Sequence, residues 1–147
     1  MRDYERVLIP VDFSVPSRRA LAAACRLAPG AEYHVVHGYD VPFAGFITDE
    51  AARREAEADH QTRLEAMIRE EMDALLSAGA RDSRKIKRSV HRGAVLEVIH
   101  GQISAVRPDL LVMGTHGRIG VARAMVGSVA QEILVDPPCD VLAVGAW

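Results

Sequence analysis

No apolar run in this 147-residue chain approaches the roughly 20 residues of a membrane-spanning helix, so no membrane insertion is expected. Cysteine is scarce: only Cys25 and Cys139 are present, each among apolar residues, which favours reduced core thiols over a disulfide framework or a redox pair. Charge of one sign is scarce too. With 18 Lys and Arg against 20 Asp and Glu the formal net charge is −2, and a nucleic-acid partner, which would need a clustered basic excess, is not expected. The N-terminal Met1-Arg-Asp-Tyr-Glu-Arg6 lacks the pattern of a signal peptide, so a cytoplasmic location is the expectation. Metal-ligand spacing is missing as well. His34 and His37 are three apart on a strand and point to opposite faces, and His60, His91 and His100 have no Cys or His partners at ligand spacing.

What is present is enough for one hydrophobic core: 49% apolar and 26% charged residues over this length read as a single domain, 1–147. Strand and helix patterns alternate. Val7 to Val11 is a β-branched run, and Ser17 to Leu27 an Ala- and Leu-rich helix stopped by Pro29-Gly30. Tyr33 to Gly38 is a second strand. Residues 39–48 read as a long loop carrying Tyr39, Phe43 and Phe46, followed by a helix from Thr48 to Ala78. That helix has a core stripe of Leu64, Met67, Ile68, Met72, Leu75 and Leu76, with Glu50–Arg54 and Arg53–Glu57 pairs on its other side. Ile86 to Arg92 is a third strand, whose basic residues suit an exposed edge. Ala94 to Val106 is a helix, and Leu110 to Met113 and Val141 to Val144 are the fourth and fifth strands. Such alternation predicts an α/β fold with a parallel sheet and helices on both faces.

The most specific motif follows the fourth strand: Gly114-Thr-His-Gly117, nine residues, then Gly127-Ser128. Glycine lets backbone N–H groups approach an anion closely, and Ser128 with Gln131 three residues later predicts a capping box at a helix start, itself an anion-attracting position. The motif is neither GxxxxGK[ST] nor GxGxxG. Gly114 and Gly117 are assigned to a phosphate cradle, the plainer alternative being an ordinary βα turn. Ser128 is assigned a backbone N–H and its hydroxyl toward phosphate, or a helix cap alone. Asp12 either accepts from a ribose hydroxyl, acts through a divalent cation such as Mg²⁺, or caps the first helix.

The G-2x-G-9x-G-[ST] spacing resembles the signature of the nucleotide-binding branch of the universal stress protein family. The resemblance extends to Val7-Leu-Ile-Pro-Val-Asp-Phe-Ser14, the His37 closing the second strand, Gly-Thr-His-Gly-Arg118, Gly-Ser-Val129 and Pro-Cys-Asp-Val-Leu-Ala-Val144. It implies an open five-stranded parallel sheet of order 3-2-1-4-5, Rossmann-like and akin to the adenine nucleotide alpha hydrolases. That order places the topological switch point between strands one and four and brings Asp12 beside Gly114. The resemblance further implies that Pro10, Val11 and Gly38 surround an adenine, that Met113 flanks the nucleoside, and that His116, Arg118 and Val129 line the phosphate side with Gly114, Gly117, Gly127 and Ser128. Gly38 departs from the aliphatic residue usual there, implying a looser adenine wall.

The function expected is therefore ATP binding with Mg²⁺ by a regulatory stress protein acting on an unidentified partner protein. No activated serine or cysteine, HxGH or SGGxDS segment is present, so at most slow hydrolysis is expected; an ATP-consuming enzyme and a nucleotide-free dimeric scaffold are the alternatives. The apolar Val141 to Trp147, uncharged after Asp140, would leave a bare sheet edge and predicts a homodimer through the fifth strand, as the resemblance also implies.

Overall fold

A computed structural model of the chain describes residues 3–39, 50–79, 86–115 and 127–145. Elements alternate along them: β1 (Arg6–Pro10), α1 (Val15–Leu27), β2 (Glu32–Tyr39), α2 (Glu50–Gly79), β3 (Ile86–Arg92), α3 (Val95–Val106), β4 (Leu110–Gly114), α4 (Ser128–Val135) and β5 (Asp140–Val144). The strands form one parallel sheet of order β3-β2-β1-β4-β5, with β1 between β2 and β4 at the reversal of strand order.

Because side chains alternate across a strand, the apolar runs of β1 and β4 feed two cores at once. Val7, Ile9, Val35, Leu110 and Val112 pack toward α1 and α2, meeting Ala20, Leu21, Ala24, Ile68 and Met72. Leu8, Val36, Leu111 and Met113 pack the other way, against Val98, Ile99, Ala130 and Ile133 of α3 and α4. Helices thus cover both faces.

At the amino-terminal edge β1 and β4 are stitched together. The Asp109 carboxylate accepts from the N–H groups of Glu5 (2.9 Å) and Arg6 (3.0 Å). The Arg6 guanidinium donates to the Arg107 carbonyl at 3.1 Å, and the Asp109 N–H donates to the Arg6 carbonyl at 3.0 Å.

Several sequence expectations are corrected. Tyr39 is no loop residue: it ends β2, pairs with Arg92, and donates its hydroxyl to Glu65 at 2.7 Å. Met67 does not join the α2 core stripe but is 54% exposed. Glu57 pairs with Arg92 of β3 (2.7 Å) and Glu50–Arg54 forms as expected, while the Arg53 side chain lies outside the described residues. The basic residues of β3 do more than stand in solvent, since Lys87 pairs with Glu32, and Arg88 and Arg92 with Asp73 and Glu57 of α2. Residues Phe43, Phe46, Thr48 and Trp147 lie outside the described residues. No helix among the described residues is long and apolar enough to cross a membrane.

Candidate functional site

The carboxyl edge differs from the amino edge because of Pro10. Backbone groups of successive strand residues face opposite neighbours: the Glu5 carbonyl and Val11 N–H bond to β2, whereas the Arg6 carbonyl faces β4. Pro10 therefore stands on the β4 side, where it has no N–H to offer the next rung. The β1–β4 ladder ends at Leu8↔Leu111, while β1–β2 runs on to Pro10↔Val36. The pairing of β1 with β4 thus stops short at the switch point, the crevice position where open α/β sheets take ligands.

One wall is the β1–α1 turn. The Asp12 carboxylate accepts the Ser14 N–H through Oδ1 (3.0 Å), and the Asp12 N–H donates to Ser17 Oγ (3.4 Å). Phe13 holds a left-handed φ of 65°, a conformation that costs a residue with a side chain and needs support. Support comes from His37, whose ring stacks on Phe13 at a centroid distance of 4.7 Å and whose Nδ1 lies 2.6 Å from the Val11 carbonyl oxygen. Ser14 caps α1, accepting the Ser17 N–H, and Ser17 Oγ donates to the Ser14 carbonyl. The cap of α1 is thus Ser14, not Asp12. These two buried hydroxyls are committed to the turn.

The other wall is β4 and α4. Gly114 is glycine for a packing reason: a Cβ there would stand 2.7 Å from Pro16 Cβ and 3.0 Å from the Ser17 nitrogen, so β4 and the first turn of α1 could not approach. Thr115 donates its N–H to Val144 (2.9 Å) and accepts the Gly127 N–H (2.5 Å), which ties α4 to the end of β4. The expected capping box is not formed. Gly127 itself is the N-cap, no side chain caps the helix, and Ser128 is its exposed first residue. The first intrahelical bond runs from Gln131 to Gly127, leaving the N–H groups of Ser128, Val129 and Ala130 without intrahelical partners. Gly127 has φ −62°, which any residue adopts, so its backbone conformation does not require glycine.

Met113 is buried on the α3–α4 side, and Val129 is partly buried on the same side. Gly38 is not the gap that its missing side chain suggests. A Cβ there would lie 3.1 Å from Val98 Cγ2, so Val98 already fills the space. The structure brings together Pro10, Val11, Asp12, Gly114, Gly127 and Ser128 around the β1–β4 end, with Gly38 one strand away; His116, Gly117 and Arg118 lie outside the described residues. The turn's supports, Phe13, Ser14, Ser17 and His37, were missed as functional residues. Ser14 had a readable signal in Ser-x-Pro-Ser, a cap followed by proline in the first turn.

Chemically, among the described residues the arrangement offers N–H donors without intrahelical partners at a helix's positive end and one carboxylate engaged through a single oxygen, a donor set that fits a phosphorylated ligand carrying hydroxyls or a cation. No group of three or more His, Cys, Asp or Glu side chains able to hold a metal by themselves occurs among the described residues. A cleft lined by Tyr4, Glu5, Ala28, Pro29 and Glu32 lies at the opposite, amino-terminal edge, away from this chemistry. Cys25 and Cys139 are free thiols, and burial pushes that of Cys139 up, which disfavours its reactive thiolate.

Comparison with known proteins agrees with the fold. A model described as the universal stress protein family matches residues 3–145. The Thermus aquaticus protein called universal stress protein in QAH/OAS sulfhydrylase 3'region is 30% identical over 147 residues, spanning 96% of this chain and 98% of the relative. The solved structure of hypothetical protein MJ0577 superposes with a TM-score of 0.80 at 20% identity, covering 97% of this chain and 96% of that one. A universal stress protein in complex with cAMP superposes with a TM-score of 0.65 at 25% identity, covering 99% and 100%. A family match reaching from the residues before β1 to the end of β5 takes in both walls of the crevice, and this chain belongs to the universal stress protein family.

Proposed function

We propose that this protein binds an adenine nucleotide, ATP together with Mg²⁺, at the carboxyl edge between β1 and β4, and that occupancy rather than turnover is its output, read by a regulated partner protein. The observation that carries the reading is the start of α4, uncapped by any side chain and tied to the end of β4: three N–H groups without intrahelical partners and the helix dipole meet at one place. Gly127, not required by its own φ, leaves room for a phosphate to come close. Pro10 and Val11 border the base, with Val98 behind Gly38, and Met113 lies below. His116, Gly117 and Arg118 complete the phosphate side in this reading. The free oxygen of Asp12 suits a ribose hydroxyl or a cation bridging phosphates, and Mg²⁺ when bound would neutralise phosphate charge beside that carboxylate. The cAMP complex of a relative 25% identical to this chain supports the adenine class.

Binding without fast cleavage is part of the same reading: among the described residues Asp12 is held by Ser14, and the Ser14 and Ser17 hydroxyls serve the turn rather than a water. A cytoplasmic location belongs to the same proposal. A homodimer through β5 belongs to the same proposal: β5 lies at the end of the strand order, its Val141 to Val144 are half-buried, and its neighbour on one side is β4. Isothermal titration of the purified protein with ATP, with and without Mg²⁺, tests the site. Binding lost in a folded Gly127→Val variant supports it, and unchanged affinity there overturns it. Asp12→Ala is expected to weaken binding by a modest factor, within the ~0.5–3 kcal/mol of ordinary and charge-assisted hydrogen bonds. A monomer in sedimentation at micromolar concentration would refute the dimer.

A further inference from the structure

We propose that His37 is a positioning residue for the nucleotide site: by bonding the Val11 carbonyl and stacking on Phe13, it fixes the β1–α1 turn so that Asp12 faces the crevice. The inference rests on the nucleotide-binding reading of that crevice. His37 is on β2, on the α1–α2 side of the sheet, one strand away from the β1–β4 opening. Its Nδ1 lies 2.6 Å from the Val11 carbonyl oxygen, and a carbonyl can only accept, so Nδ1 carries the proton. The Val11 N–H is already bound to Val36 at 2.8 Å, so both backbone groups of the residue before Asp12 are pinned to β2.

Two residues on, the Phe13 ring lies against the imidazole with an interplanar angle of 28°, which braces the left-handed backbone at φ 65°. Asp12 sits between the two pinned residues, and its carboxylate points back to the Ser14 N–H through Oδ1, leaving Oδ2 for the ligand. Rotation at Val11 or relaxation of Phe13 toward the ordinary α or β region would swing that carboxylate away. His37 therefore acts through Asp12, without touching the ligand.

Two substitutions separate the two contacts. His37→Phe keeps a ring on Phe13 and loses the donor; His37→Asn loses the ring and keeps an N–H at the same distance from the backbone. His37→Phe is expected to weaken Mg-ATP binding about tenfold, with His37→Asn recovering to within about threefold of wild type, measured by titration on protein shown folded by circular dichroism. In an Asp12→Ala background His37→Phe should cost nothing further, because residues acting through one another are non-additive. A purely structural role would lower Tm and leave affinity and additivity unchanged.

Wild type that binds ATP while His37→Phe binds it equally well overturns the positioning role alone. Wild type that binds no nucleotide overturns the reading of the crevice and this inference with it. Should His37→Phe not fold, His37→Asn and the imidazole nitrogen resonances of the wild type decide. A protonated Nδ1 and near-wild-type affinity support the role; an unprotonated Nδ1, or affinity in His37→Asn reduced more than tenfold, refutes it.

Discussion

α1 and α4 both begin at the carboxyl edge of the sheet, on opposite faces and on either side of the β1–β4 opening, and their first turns are built differently. α1 is closed: Ser14 caps it, Ser17 bonds back to the Ser14 carbonyl, and Asp12 covers the turn before it. α4 is open, with Gly127 at the cap position and no side chain to satisfy its first N–H groups. With glycine at the cap position, the missing side-chain cap costs α4 a few tenths of a kcal/mol. The contrast separates the two ends: α1's first turn is part of the scaffold, against which Gly114 packs, and α4's is the end at which the proposal places an anion.

The sharpest way to break this contrast is to close α4. Gly127→Asp puts a cap residue into a backbone already in cap geometry, so stability should rise by a few tenths of a kcal/mol while Mg-ATP affinity falls about a hundredfold, or ~2.7 kcal/mol, through lost donors and charge repulsion. Paired thermal melts and titrations would show the two opposite signs. Next in size is Gly114→Ala, which forces a Cβ to 2.7 Å from Pro16 and should cost about 1–3 kcal/mol in urea denaturation, whether or not ligand is present. Opening α1 is milder. Ser14→Ala is expected to cost about 1 kcal/mol of stability and to change ATP affinity by less than the change at α4, because that cap serves the scaffold. The smallest effect belongs to Pro10→Ala, which restores an N–H facing β4. One more rung, at most about 0.5–1.5 kcal/mol, is offset in part by the added freedom of the unfolded chain. Amide exchange should then show protection at position 10, with ATP binding weakened severalfold as the crevice narrows.

How much of this was legible in the sequence depends on how local each cause is. The alternation of apolar strand and helix is local, and it placed all nine elements to within a few residues. The strand order came from family resemblance, since periodicity says nothing about which strands are neighbours. At the site, local reading marked Gly127 and Ser128 but put the helix start one residue late: Ser-x-x-Gln satisfies the capping pattern, yet the chain turns at Gly127 and Ser128 is already helical. Gly114 has a packing reason that no local reading supplies, because what excludes a side chain there is Pro16, 98 positions earlier in the chain. Gly38 shows the same limit, for the volume it gives up is taken by Val98 on another element. Tyr39 was misplaced because an aromatic residue before a proline-containing stretch looks like a loop until its pairing with Arg92 is known.

The unequal fastening of β1 and β4 has a mechanical meaning. Asp109 and Arg107 clamp the two strands at one end, Pro10 frees them at the other, and the last shared rung, Leu8 with Leu111, is wholly buried. The pair is built like tongs, with a dry pivot in the middle of the core and tips where Pro10 and Gly114 are only half-buried. Fastening is thus concentrated at one edge of the pair and relaxed at the other.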